Sequence, residues 1–134
     1  MDEPKTQLKD GATILVVDDY PIIAQSVAKA LGLRGHRSLI ARDGVEAQEV
    51  LATNGTAIDL VITDIEMPRM RGDDLACWLM SEHPRTSILL MSSTLPHREE
   101  ARALPLLEKP FTMKMLIATV ERILGRSDGD ESLA

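Results

Sequence analysis

The sequence predicts an α/β fold: a doubly wound, five-stranded parallel sheet with helices on both faces. Two observations predict it. Short apolar runs alternate with helical segments five times along the chain, and several runs are apolar throughout, as expected for strands buried on both faces. Right-handed connections between parallel strands then leave few topologies open.

The first half of the chain supplies three of the strands and two of the helices. We expect these strands at residues 14–17, 36–41 and 58–63. The first helix begins at Pro21, a residue suited to the first helical turn, and ends near Gly32. The second helix follows Asp43 and fades at Asn54.

The second half supplies strands at residues 87–91 and 104–107. Pro105 interrupts the last of these, which places that strand at an edge of the sheet. A helix over 72–83 precedes the fourth strand, and residues 96–103 leave room only for a shortened fourth helix. The final helix follows Thr112 and carries one apolar stripe, which comprises Met113, Leu116, Val120, Ile123 and Leu124.

Composition indicates one soluble domain. The chain has 134 residues, and its net charge of −6 and three aromatic residues argue against nucleic-acid binding. The single cysteine, Cys77, excludes an internal disulfide and is expected to pack in a helix. No apolar run reaches the roughly 20 residues that span a membrane, and no signal peptide is present, so we expect a cytoplasmic protein.

We assign 1–12 to a flexible lead-in, 13–125 to the folded domain and 126–134 to a disordered acidic tail.

Polar residues follow four of the predicted strands. Asp18 and Asp19 follow the first, Asp64 the third, Ser92 the fourth and Lys109 the fifth. Strand ends of this kind share one edge of a parallel sheet, where ligands bind. Carboxylates crowded there repel one another unless a cation joins them, and oxygen ligands favour Mg²⁺ or Mn²⁺.

A lysine beside a cation and a carboxylate suits phosphoryl transfer, with Asp64 as the nucleophile. Two simpler interpretations stay open for single residues. Asp18 and Asp19 fit a helix cap, and Asp64 fits a turn before Met67. Their positions at the ends of different strands favour the joint interpretation.

Four segments give the chain a resemblance to the receiver domains of bacterial response regulators. They are I-L-V-V-D-D-Y-P at 14–21, D-L-V-I-T-D-I-E-M-P-R-M-R-G at 59–72, I-L-L-M-S-S at 88–93 and L-L-E-K-P-F at 106–111. The resemblance implies a flavodoxin-like sheet of order 2-1-3-4-5. It also implies a phosphoacceptor signalling protein of a two-component phosphorelay, which catalyses only its own Mg²⁺-dependent phosphorylation and dephosphorylation.

The resemblance assigns roles in metal binding to four residues. Asp64 matches the phosphoacceptor and also contacts the metal. Asp19 matches the direct metal ligand, and Asp18 the ligand that acts through water. The backbone carbonyl of Glu66 would complete the protein ligands.

Four further residues match positions that contact the phosphoryl group or lie beside it. Ser92 matches the switch hydroxyl, and Ser93 offers a backbone N–H. Lys109 matches the lysine that contacts the phosphoryl group, and Pro110 often follows a cis peptide in the family.

The chain departs from the family at three points. Leu106 stands where many members carry a switch aromatic residue, and the fourth helix is short. The resemblance therefore does not assign the surface that passes the signal to a target. Glu66 and Thr94 occupy positions that tune phosphoryl lifetime in the family.

The resemblance implies a sensor histidine kinase or a histidine phosphotransfer protein as the phosphodonor, docked beside Pro21 and Ile22, and a downstream protein target. The short tail suggests a stand-alone receiver. The alternative is a receiver-like scaffold or interaction module that works without phosphorylation. A flavin or nucleotide binder is disfavoured because the turn after the first strand lacks a glycine-rich phosphate cradle.

Overall fold

Five parallel strands form one sheet, as the sequence predicts. The computed structural model describes residues 11–125, and the predicted acidic tail and most of the lead-in lie outside them. The strands are β1 (Thr13–Val17), β2 (Arg37–Ala41), β3 (Leu60–Asp64), β4 (Ser87–Ser92) and β5 (Leu106–Glu108). Their order, β2-β1-β3-β4-β5, confirms the predicted fold class and places β5 at an edge.

Helices connect the strands on both faces of the sheet. They are α1 (Pro21–Gly32), α2 (Gly44–Asn54), α3 (Gly72–Glu82) and α4 (Met113–Ile123). The connection from β4 to β5 contains the 3₁₀ helix Glu99–Ala103 instead of an α-helix. The structure therefore confirms that the helix predicted between β4 and β5 is short, and it is a 3₁₀ helix.

Two apolar cores lie on opposite faces of the sheet. One lies between the sheet and helices α2 and α3, and the other lies between the sheet and helices α1 and α4. Alternate residues of each central strand point to different cores: Leu15 and Val17 to the first, Ile14 and Val16 to the second. Burial on both faces is the reason for the continuous apolar runs in the sequence.

Several predicted boundaries differ from the structure. β3 starts two residues later and ends one residue later than predicted, so that Asp64 belongs to the strand and pairs with Met91. β5 starts at Leu106, after Pro105, whose carbonyl accepts a hydrogen bond from the Leu90 N–H. Met113 is 37% exposed, so the buried stripe of α4 is narrower than predicted.

Ala12, the last residue of the predicted lead-in, packs against the folded domain. Ala12 is buried, donates its N–H to His36 Nδ1 at 3.1 Å and accepts a hydrogen bond from the Arg37 N–H. Trp78 is partly buried against the first core, with its ring centroid 5.2 Å from that of His83. Within residues 11–125, none of the helices is both long and apolar enough to cross a membrane.

Candidate functional site

Three carboxylates meet at the carboxyl edge of the central strands. Asp18 and Asp19 follow β1, and Asp64 is the last residue of β3. Because β1 and β3 are hydrogen-bonded neighbours, with Val17 opposite Thr63, these side chains are brought together. One oxygen from each carboxylate lies within 4.8 Å of the others.

The arrangement of the carboxylates fits a hard cation. Asp18 Oδ2 and Asp19 Oδ1 are buried and accept no hydrogen bond from the described residues. Burial raises the pKa of Asp18, against the opposing effect of the Tyr20 N–H, and the charge of Asp64 raises it further. Buried anionic oxygens without donors are costly, and a divalent cation bound to them would remove that cost.

Lys109 brings a positive charge to the same edge. Its Nζ lies 3.4 Å from Asp64 Oδ2, and its backbone N–H donates to the Ser92 carbonyl at 3.0 Å. The Lys109–Pro110 peptide is cis. The other Asp64 oxygen, Oδ1, accepts the N–H of Ile65 at 2.8 Å. The charged neighbours of Asp64 are therefore the ammonium group of Lys109 and the carboxylates of Asp18 and Asp19.

Ser92 ends β4 with its side chain buried. Its Oγ accepts the N–H of Thr94 at 3.0 Å and lies 3.1 Å from the Thr94 hydroxyl. The Thr94 hydroxyl donates in turn to Glu66 Oε2 at 3.4 Å. The predicted hydroxyl is thus at the edge of the site but bonded to its own loop, while Ser93 is exposed.

An apolar groove of about 490 Å³ adjoins Lys109. It runs between α1 and the start of α4, and Ile22, 78% exposed, stands on its wall. The groove is lined by Ile22, Ile23, Ser26, Ser93, Lys109, Pro110, Phe111 and Met113. The predicted docking residue Ile22 therefore lies on a surface that continues into the site.

Two buried acids that support the site were not singled out as functional residues from the sequence. Asp43 caps α2 by accepting the Glu46 N–H and also accepts two bonds from Arg69, which has a positive φ of 69°. The side-chain hydrogen bonds from Arg69 lower the pKa of Asp43, against a smaller opposing effect of burial. Asp73, at the start of α3, is fully buried. The helical spacing from Asp73 to Ala76, on the inward face of α3, is the signal that could have identified it.

Comparisons with known proteins agree with this geometry. The response regulator receiver domain family matches residues 14–121 of the chain. The sensor kinase CckA of Brucella abortus is 34% identical over 134 residues, which cover 94% of this chain and 14% of CckA. The response regulator MprA of a Mycobacterium species is 33% identical over 123 residues, covering 88% of this chain and 53% of MprA.

A solved structure shares the fold. The crystal structure of the response regulator TrrA from Thermotoga maritima, in complex with Mg²⁺ and BeF, superposes with a TM-score of 0.75 and 29% identity, covering 84% of this chain and 98% of that one. The chain spans about half of MprA, and a much smaller part of CckA. The match to the family profile, the order of the strands and the acidic edge together show that this chain belongs to the response regulator receiver domain family.

Proposed function

We propose that the chain accepts a phosphoryl group on Asp64 from a phosphohistidine and thereby relays or switches a two-component signal. The observation that carries the proposal is the position of Asp64, with Lys109 Nζ at 3.4 Å and oxygens of Asp18 and Asp19 within 4.8 Å. Catalysis of phosphoryl transfer consists mainly of positioning and charge neutralisation, and these side chains supply both.

The reaction is a displacement at phosphorus. A carboxylate oxygen of Asp64 forms the new P–O bond while the P–N bond to the donor histidine breaks. The electron pair of that bond stays on the imidazole nitrogen, and the donor leaves as a neutral imidazole because its other nitrogen keeps its proton. Lys109 stabilises the negative charge of the phosphoryl oxygens through its ammonium group.

Asp18, Asp19, Asp64 and the backbone carbonyl of Glu66 are the proposed ligands of Mg²⁺, with Mn²⁺ as the substitute of similar chemistry. Bound there, the cation would neutralise the acids and the phosphoryl oxygens together. Support comes from the two buried carboxylate oxygens that lack donors and from TrrA, whose structure contains Mg²⁺ and BeF.

The proposed donor is a sensor histidine kinase or a histidine phosphotransfer protein. It would dock on the groove between α1 and α4, where Ile22 and Met113 expose apolar surface beside Lys109. A histidine carried on a helical surface could reach Asp64 from this side. The similarity to part of the sensor kinase CckA supports a partner of the kinase class.

The proposed switch is the hydroxyl of Ser92. It now bonds to Thr94, and a phosphoryl group on Asp64 would offer it a stronger, anionic acceptor. Moving Ser92 and the backbone N–H of Ser93 towards that group would change the loop after β4. A downstream protein target would recognise the change.

The test is labelling by acetyl phosphate and by a panel of phosphorylated histidine phosphotransfer domains, with and without Mg²⁺. We expect Asp64→Asn to lose the label while its circular dichroism stays that of a folded protein. Asp74→Asn is the matched control, because Asp74 is a neighbouring acid outside the cluster and should keep the label. Labelling of Asp64→Asn at the wild-type rate would contradict the assignment.

The same experiment addresses the scaffold alternative. A folded wild-type protein that takes no label from any donor, with or without Mg²⁺, would favour an interaction module that works without phosphate. Lys109→Ala adds a second criterion. This variant should keep some label on Asp64 but lose the conformational change that we expect phosphorylation to cause in the wild type.

A further inference from the structure

Asp73 is a charged residue that the proposed reaction does not use. Among residues 11–125 it is the most buried carboxylate, with 0% exposure. Its Oδ1 accepts the Arg71 Nε–H at 3.0 Å, and its Oδ2 accepts an Arg71 Nη2–H at 3.3 Å. A buried acid persists only where donors satisfy it, so this position is a built site for a negative charge.

The remaining donors to Asp73 come from a distant part of the chain. Its Oδ2 accepts the N–H of His97 at 2.6 Å and that of Arg98 at 3.4 Å. Burial opposes ionisation, but the Arg71 bonds and these backbone donors together lower the pKa of Asp73. A charged carboxylate thus holds the segment that connects β4 to the 3₁₀ helix, where an α-helix is missing.

Asp73 is also tied closely to the phosphoacceptor strand. The preceding residue, Gly72, donates its N–H to the Ile65 carbonyl at 2.7 Å. A Cβ on Gly72 would lie 1.8 Å from the carbonyl oxygen of Asp64, so the two backbones are in contact. Close packing of this kind transmits a displacement instead of absorbing it.

The other end of the held segment is Ser92. Five positions separate it from His97, and the Ser92 Oγ accepts the Thr94 N–H at 3.0 Å. The loop is therefore fixed at Ser92 on one side and at Asp73 on the other. Both anchors adjoin Asp64, one through the β3–β4 ladder and one through Gly72.

We propose that Asp73 is a positioning residue that couples the phosphorylation state of Asp64 to the conformation of residues 93–103. The coupling rests on the proposed function. Because the connection from β4 to β5 contains only the 3₁₀ helix Glu99–Ala103, the carboxylate holds this segment in place and gives it a second point of contact with the phosphoacceptor region. A change at Ser92 then moves a segment with two fixed ends instead of a free loop.

The experiment is hydrogen exchange followed by mass spectrometry, on the unphosphorylated protein and after labelling by acetyl phosphate with Mg²⁺. The variants are Asp73→Ser, Asp73→Asn and the control Asp74→Ser. Asp74 neighbours Asp73 but is 44% exposed at its side chain and binds the side chain of Arg98, not the backbone. Asp73→Asn keeps the size and one acceptor, and serves if Asp73→Ser does not fold.

We expect the amides of residues 97–98 to exchange on the order of tenfold faster in Asp73→Ser, because a charge-assisted hydrogen bond is lost. We also expect phosphorylation to alter exchange across 93–103 in the wild type and in Asp74→Ser, but less than half as much in either folded Asp73 variant. Asp64 should take the label in all of them.

The outcomes separate the two proposals. A labelled Asp73 variant whose segment responds to phosphorylation as the wild type does overturns the coupling and leaves the proposed function intact. A wild-type protein that takes no label overturns the proposed function and the coupling with it. A wild-type protein that takes the label without any change in 93–103 overturns the coupling alone.

Discussion

Replacing Asp64 by asparagine should stabilise the protein in the absence of metal. At an effective dielectric constant of about 20, two unit charges 4.8 Å apart repel by about 3.5 kcal/mol, and Asp64 faces both Asp18 and Asp19 at no more than that distance. The attraction of Lys109 at 3.4 Å returns about 5 kcal/mol. The two repulsions together exceed this attraction by about 2 kcal/mol, and solvent screening of all three interactions leaves a net repulsion of about 1 to 2 kcal/mol on Asp64. Asp64→Asn should therefore raise the free energy of unfolding by about that amount.

The assay is urea unfolding at neutral pH with a chelator, followed by the fluorescence of Trp78, which is partly buried against the core. Glu49→Gln, which removes an exposed negative charge from α2, is the control and should change stability by less than about 0.5 kcal/mol. Saturating Mg²⁺ should narrow or reverse the difference, because a ligand stabilises the state that binds it and the wild type offers the full set of acids.

An Asp64→Asn protein that is equal to or less stable than the wild type in chelator, with a neutral Glu49→Gln control, would refute the electrostatic argument. It would mean that hydrogen bonds to Asp64, such as the one from the Ile65 N–H, outweigh the repulsion. A stability that rises equally with Mg²⁺ in both proteins would remove Asp64 from the proposed set of ligands.

Two further predictions concern the loops that support the site. Arg69 lowers the pKa of Asp43 from 3.8, so the stability that this acid contributes is present above its unfolded pKa and is lost as the pH falls through the lowered value. Asp43→Asn should thus cost stability near neutral pH, and the difference from the wild type in urea midpoint should shrink below about pH 4. Gly72→Ala should destabilise by about 1–3 kcal/mol or more, because its Cβ would collide with the Asp64 carbonyl, whereas Gly32→Ala, with open space around it, should be neutral or slightly stabilising in thermal melts. Equal melting temperatures for the two glycine variants, or an Asp43→Asn deficit that is constant with pH, would contradict these arguments.

The fold was predictable because its signals are local. A strand buried on both faces must be apolar throughout. The apolar runs around Val16, Ile62 and Leu89 meet that condition, so these strands can be recognised before their partner strands are known. The ends of elements depend on partners that lie far away in sequence. Asp64 joins β3 because Met91 stands opposite it, and the strand order could be inferred only from resemblance.

The residues of the candidate site likewise include some that the local sequence predicts and others that depend on distant partners. Asp18, Asp19 and Lys109 follow strands and Asp64 ends one, so the topology alone brings them to one edge. Asp73 was not recognised, although its spacing from Ala76 was a signal, because two of its donors are backbone groups 24 and 25 residues away and an acid in the first turn of a helix ordinarily faces solvent. The bond from Ser92 to Thr94 depends likewise on a loop conformation that the residue types do not determine.

Asp64 is the last residue of β3 and is paired with β4, and this position limits how the protein can move it. Its backbone is paired to β4 and packed against Gly72, so only the two side-chain torsions of the aspartate remain to adjust its reach. The proposed acceptor cannot be withdrawn or presented by moving the main chain. Under the proposed function, control over the timing of a signal would then belong to whatever approaches Asp64: the proposed donor, the water that would remove the group, and the loops that admit either.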